Sequence, residues 1–125
     1  MYSHIMLGAN DLDASTAFYD ATLGALGHKA GGADPKGRVF WFTAGGIFSI
    51  SVPIDGNPAT CANGSTIGFA AKSPEEANAW HAAGLANGGT TLEDPPGWRE
   101  GNGMKLYLAY LRDPSGNKIC AMCRG

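Results

Sequence analysis

The sequence predicts an α+β fold with mixed β-sheets, built from two repeated βαβββ modules that enclose a cleft. The same order of strand, helix and strands occurs twice along the chain. The two copies align with a shift of 62 residues, which matches Phe18 with Trp80 and Leu23 with Leu85. A duplicated unit of this kind cannot bury its sheet face alone, so the two copies are expected to pack together and share a core.

The composition is that of a globular protein with a core of ordinary size. The chain has 125 residues, of which 44% are hydrophobic, and this length suffices for one domain without disulfide support. The net charge of −2 gives no indication of a nucleic-acid partner. No apolar run is long enough to cross a membrane, and the start MYSHIMLGAND lacks the pattern of a secretory signal. We therefore expect a single cytoplasmic domain, residues 1–125, with no nucleic-acid or membrane partner.

The first module is predicted to span residues 1–53. Residues 2–7 are typical of a short strand, and Asn10 or Asp11 is a suitable N-cap for a helix from Leu12 to about Leu23. Two or three strands are predicted next, among them GRVFWFTA and IFSISVP, which a Gly-Gly turn separates.

The second module is predicted to span residues 65–125, after a linker at residues 54–64 that is rich in Gly, Pro and Asn. A strand at 65–71 precedes the clearest helix start in the chain, with Ser73 as N-cap and Pro74 in the first helical position. A short strand near 89–92 and a loop, DPPGWREGNG, come next. The strands MKLYLAYLR and KICAM then form a hairpin around the turn DPSGN.

Four segments carry a resemblance to a known family: H-x-x-L at His4, AFYDATLG at Ala17–Gly24, PPGWR at Pro95–Arg99 and YLRDPSGNKI at Tyr110–Ile119. Together they make essentially the whole chain resemble the vicinal oxygen chelate superfamily, also called the glyoxalase/bleomycin resistance/dioxygenase family. The resemblance implies two half-barrels around a cup, and in typical enzymes a divalent metal in that cup, bound by His or carboxylate side chains on the first and last strands of each module. It also implies a homodimer.

The resemblance assigns four positions of this sequence to those metal ligands. They are His4, Ser49 (with Ser51 as the alternative), Thr66 and Cys120. Hydroxyl groups are poor ligands for transition metals, and Cys120 stands where the family usually has Glu. We therefore predict a degenerate metal site in which His4 is the one expected ligand. The only cofactor suggested is a divalent metal (Zn, Ni, Mn or Fe), and no catalytic residue is assigned.

Two functions remain open at this point. The favoured one is a binding protein that holds a small, partly aromatic molecule in the β-cup, because the acidic ligands are missing. The residues predicted to bind that ligand are His4, Trp41, Phe48, Ser49, Thr66, Arg99, Tyr107 and Cys120. In this set Arg99 is suited to pair with an anionic group. The alternative is a metal-dependent lyase, isomerase or dioxygenase that acts on a small oxygen-rich substrate through His4 and the variant ligand Cys120.

Overall fold

The computed structural model describes residues 1–125 and confirms the α+β fold, with two helices and two mixed sheets. The first module consists of β1 (His4–Gly8), α1 (Leu12–Ala25), β2 (Gly32–Asp34), β3 (Arg38–Thr43) and β4 (Gly46–Ser51). The second module consists of β5 (Ile67–Ala70), α2 (Pro74–Ala86), β6 (Thr90–Thr91), β7 (Gly97–Gly101), β8 (Met104–Arg112) and β9 (Lys118–Arg124). Neither helix is both long and apolar enough to cross a membrane.

The two sheets have matching topologies. The first has the strand order β1-β4-β3-β2 and the second the order β5-β9-β8-β6, with β7 also paired to β8. In each module the first strand runs parallel to the last one, while the other pairs are antiparallel. Strands β1 and β5 are therefore free edges, each hydrogen-bonded to a neighbour on one side only.

Both helices begin with the caps that the sequence predicts. The Asp11 carboxylate accepts a hydrogen bond from the Ala14 N–H at 3.0 Å, and the Ser73 hydroxyl accepts one from the Glu76 N–H at 3.1 Å. Each side chain satisfies a backbone donor that the first helical turn leaves without a partner. The two helices start 62 residues apart, which is the shift found in the sequence.

Strand β7 corrects the prediction that residues 94–103 form a loop. Gly97–Gly101 pairs antiparallel with β8, next to the shorter strand β6. Together β6 and β7 occupy the place that β2 holds in the first module. Between them lie Pro95 and Pro96, which have no N–H to donate and so interrupt the ladder. The prolines, glycines and charges of this segment hid the strand from sequence analysis.

The helices pack against each other and against one face of each sheet, which we call the helix face. The largest fully buried side chains include Phe18 and Tyr19 of α1, Trp41 of β3 and Trp80 of α2. The buried face of α1 includes two small polar side chains, since Ser15 and Thr22 are fully buried. Thr22 faces α2 at a close approach of the two helices, where a Cβ on Gly84 would lie 3.3 Å from the Thr22 methyl group.

The carboxylate of Asp113, in the turn between β8 and β9, connects the two modules. It is buried and accepts a 2.6 Å hydrogen bond from the Tyr19 hydroxyl of α1. It also accepts from the backbone N–H groups of Ser115 and Asn117 and from the Asn117 amide, each at 2.9 Å. The same amide donates to the carbonyl of Gly8 at the end of β1. Burial and the neighbouring carboxylate raise the pKa of Tyr19 well above its ordinary value, so the phenol stays protonated as a donor.

The variant Asp113→Ala is expected to lower the free energy of unfolding by about 3 kcal/mol, because it leaves several buried donors without an acceptor. Tyr19→Phe removes one donor and is expected to cost about 1–2 kcal/mol. Urea unfolding followed by tryptophan fluorescence measures both. Asp94→Ala is the matched control, since the Asp94 side chain is exposed and forms no hydrogen bond. A cost for Asp113→Ala no greater than that of the control would contradict this role.

Candidate functional site

A cavity of about 1000 Å³ opens between the two modules. Its wall is built from the start of β1, the β3–β4 turn, β5, the end of α1 with the residues after it, and the start of α2. Because β1 and β5 are the free edges of their sheets, the cavity lies along the seam where the two modules meet. Its volume is at the upper end of the range of about 300–1,000 Å³ that is usual for small-molecule sites.

The cavity has an apolar floor. More than half of its lining residues are hydrophobic. Leu23 and Phe48 belong to the buried core, and Phe69 packs against that core. The rings of Phe48 and Phe69 meet edge to face with their centroids 5.1 Å apart, which joins the two modules beneath the cavity.

The ionisable groups of the lining are mostly basic. His4, His28, Lys29 and Lys72 line the cavity together with a single carboxylate, that of Glu76. The Glu76 carboxylate accepts the Lys72 N–H at 3.1 Å and so serves the capping of α2. The ammonium groups of Lys29 and Lys72 form no ion pair, since the two ion pairs of the structure are Arg38–Asp34 and Lys118–Glu93.

Two of the eight residues predicted to bind a ligand line this cavity, namely His4 and Phe48. His4 is exposed at the start of β1, and its Nδ1 lies 2.8 Å from the Ser3 hydroxyl. Its Nε2 has no hydrogen-bond partner within the protein. The other six predicted residues, Trp41, Ser49, Thr66, Arg99, Tyr107 and Cys120, lie outside the lining.

Trp41, Arg99 and Tyr107 are held elsewhere by polar partners. The fully buried Trp41 donates its indole N–H to Asp20 at 2.9 Å. Tyr107 donates its hydroxyl to Asn78 of α2 at 2.6 Å, which places it on the helix face of its sheet. Arg99 lies in strand β7, and its guanidinium donates to the backbone carbonyls of residues 94 and 95, both at 3.0 Å.

The predicted metal-ligand positions Ser49, Thr66 and Cys120 do not line the cavity either. Ser49 is fully buried and donates its hydroxyl to the Ile5 carbonyl at 2.8 Å. Thr66 is exposed and directly precedes β5. The Cys120 sulfur packs against Gly68 of β5, and burial raises the pKa of the Cys120 thiol to about 11.

Comparison with known proteins identifies the family. The family model described as "Glyoxalase/Bleomycin resistance protein/Dioxygenase superfamily" matches residues 2–121, nearly the whole chain. The chain belongs to the glyoxalase/bleomycin resistance protein/dioxygenase superfamily. No curated protein matches this member of the superfamily.

Solved structures of the glyoxalase superfamily share the fold. A glyoxalase/bleomycin resistance protein from Albidiferax ferrireducens T118 is 61% identical, with a TM-score of 0.94 and 98% of each chain covered. A lactoylglutathione lyase from Agrobacterium tumefaciens is 22% identical, with a TM-score of 0.66, and the match covers 98% of this chain and 92% of that one. A glyoxalase-related enzyme from Fulvimarina pelagi is 19% identical, with a TM-score of 0.72 and coverages of 98% and 86%. At these low identities the last two show the fold alone.

The divalent metal that the superfamily resemblance implies does not fit the residues present. A metal site needs several deprotonated or neutral donor groups that converge on one point. Here the Ser49 hydroxyl is bonded to a backbone carbonyl, and the Cys120 sulfur is buried beside Gly68. No three His, Cys, Asp or Glu side chains are grouped so that they could hold a metal ion. Of the four positions, only His4 lines the cavity.

Sequence analysis missed Lys29, Lys72 and Phe69 as lining residues. Lys29 and Lys72 lie in the connections after α1 and before α2, and Phe69 is on the free edge strand β5. Residues at these places are positioned by how the two modules meet, and nothing in their local sequence marks them. The one signal available was that β1 and β5, as equivalent first strands, are expected to come together in a duplicated fold.

The three cysteines are expected to differ sharply in reactivity, because thiolate formation and access control attack by a thiol reagent. Cys61 is exposed, whereas Cys120 and Cys123 are buried. At about pH 8 a disulfide reagent should modify one thiol quickly, and Cys61→Ser should abolish that fast phase. Cys120→Ser is the matched variant and should leave the fast phase unchanged. Loss of the fast phase in Cys120→Ser would show that Cys120 is the reactive thiol.

Proposed function

We propose that this protein binds a small molecule in the cavity between its modules and does so through its own side chains, without a metal ion. The observation that carries the proposal is the cavity itself, which combines an apolar floor with basic groups that have no acidic partner. Pockets with mostly apolar walls and a few polar groups are typical of small-molecule sites.

Membership of the superfamily supports this proposal at a coarse level. The relative at 61% identity carries the description glyoxalase/bleomycin resistance protein, which names both an enzyme activity and a resistance function. Fold alone does not decide between such functions, so the choice depends on the site. The four expected ligand positions favour metal-free binding of a small molecule over metal-dependent catalysis, since three of them are outside the cavity lining. The alternative of a metal-dependent lyase, isomerase or dioxygenase has less support, since His4 is the one expected ligand position that lines the cavity.

A fragment screen by two-dimensional amide NMR tests the proposal. We expect some small aromatic or aliphatic fragments, present at about 1 mM, to shift the amide signals of Gly27, Gly46 and Gly68, which line the cavity. Signals from glycines outside the lining, such as Gly24 and Gly101, should not move.

A cavity-filling variant serves as the control for that screen. Ala70→Trp places a large ring in the cavity at an exposed position of β5 and is expected to abolish the shifts. Ala82→Trp adds the same ring to the exposed surface of α2, outside the lining, and should leave binding intact. The proposal fails if no fragment shifts the cavity signals, or if both tryptophan variants bind as the unaltered protein does.

We also propose that the protein is a homodimer, as the family resemblance implies; its cytoplasmic location stays a prediction. Large apolar side chains on the sheet face opposite the helices support a second copy: Met6 is 41% exposed, and Phe42, which also lines the cavity, is 70% exposed. Light scattering at about 10 µM should give twice the mass of one chain. A mass of one chain, both for the free protein and after ligand addition, would contradict the dimer.

A further inference from the structure

We propose that the ligand of this cavity is an organic anion: a molecule with one acidic group, such as a carboxylate, sulfonate or phosphate, on an aromatic or aliphatic body. This inference rests on the proposed function and adds the chemical class of the ligand. It follows from the distribution of charge between the cavity and the rest of the chain.

The charge of the lining is opposite in sign to that of the whole protein. The chain has 9 Lys and Arg residues against 11 Asp and Glu, which gives a net charge of −2. The lining has two lysines and one glutamate, hence a net charge of +1 with both histidines neutral. Only one of eleven acidic residues therefore lies at the cavity. A basic recess in an acidic protein concentrates anions at that place.

The basic groups are also free to bind. The ammonium groups of Lys29 and Lys72 have no acidic partner, and the Glu76 carboxylate is engaged by the backbone at the start of α2. By contrast, Lys118 outside the cavity is paired with Glu93 and lies over the ring of Tyr110. An unpaired ammonium beside an apolar recess offers a charge-assisted hydrogen bond to an acid group.

The apolar floor of the cavity determines the non-acidic part of the ligand. Leu23, Phe48 and Phe69 line the cavity with apolar side chains, and these contacts are of no use to a small inorganic anion. A molecule that covers the floor gains free energy from burial of its apolar area. A ligand with an apolar body and a single anionic end is therefore expected to bind more tightly than an inorganic anion or an uncharged apolar molecule.

Two dyes with the same aromatic skeleton separate charge from hydrophobicity. The anionic dye 8-anilinonaphthalene-1-sulfonate and the neutral dye N-phenyl-1-naphthylamine differ by the sulfonate group, and both fluoresce on entering an apolar site. We expect the anionic dye to bind the protein about tenfold more tightly at low salt, and added salt to weaken the anionic dye alone. Inorganic phosphate at the same ionic strength should compete no better than chloride.

Variants that remove single positive charges test whether Lys29 and Lys72 cause the preference for the anionic dye. Lys29→Gln and Lys72→Gln should each weaken the anionic dye by about three- to tenfold and leave the neutral dye unchanged, with a larger loss in the double variant. Lys36→Gln is the matched control, since Lys36 is exposed in the β2–β3 turn and outside the lining. All three lysines are exposed, so the variants are expected to fold, and circular dichroism checks this.

The other possible results contradict either the anionic class of the ligand or the proposed function. Equal binding of the two dyes, with no effect of the lysine variants, overturns the anionic class but leaves the cavity as a small-molecule site. An equal loss in Lys36→Gln shows attraction to the general surface and overturns the inference. Failure of both dyes to bind, together with an empty fragment screen, overturns the proposed function as well.

Discussion

The buried Asp113 carboxylate is the contact on which the arrangement of the modules depends. It holds α1 through Tyr19, and through Asn117 it holds the end of β1, although it belongs to the last hairpin of the second module. A buried charge is stable only when its hydrogen bonds are satisfied, so every partner is fixed in position relative to the others. The position of β1 relative to the second module therefore follows from this acidic group together with the shared aromatic core.

Duplication explains both the shared core and the cavity. Each module contributes one helix and one sheet face to the core, and the aromatic contacts from Tyr19 through Phe48 to Phe69 cross from one module to the other. The sheets do not join into one, because β1 and β5 pair only with their own modules. The gap between these edges is left open above the aromatic floor. A site of this kind belongs to neither module alone, which is why its basic groups come from both.

Sequence analysis succeeded where structure is decided locally. The cap Ser73, the cap expected at Asn10 or Asp11, the DPSGN turn and the strands beside it all depend on a few neighbouring residues, and all were predicted. It failed for β7, where Pro and Gly obscure an edge strand. At the site, Trp41 and Tyr107 were predicted to bind a ligand. In the structure each points to the helix face, where Asp20 and Asn78 accept its hydrogen bond. Such partners are distant in sequence and cannot be found without the fold.

The free edges of β1 and β5 have one consequence for how such a protein can change over time. Part of the polar surface around the cavity is main chain, whose N–H and C=O groups are the same whatever side chains the strands carry. Side-chain substitutions in these strands therefore alter the chemistry of the cavity while its backbone donors and acceptors persist. A recess of this kind can accept a different ligand after changes at a few of its lining residues.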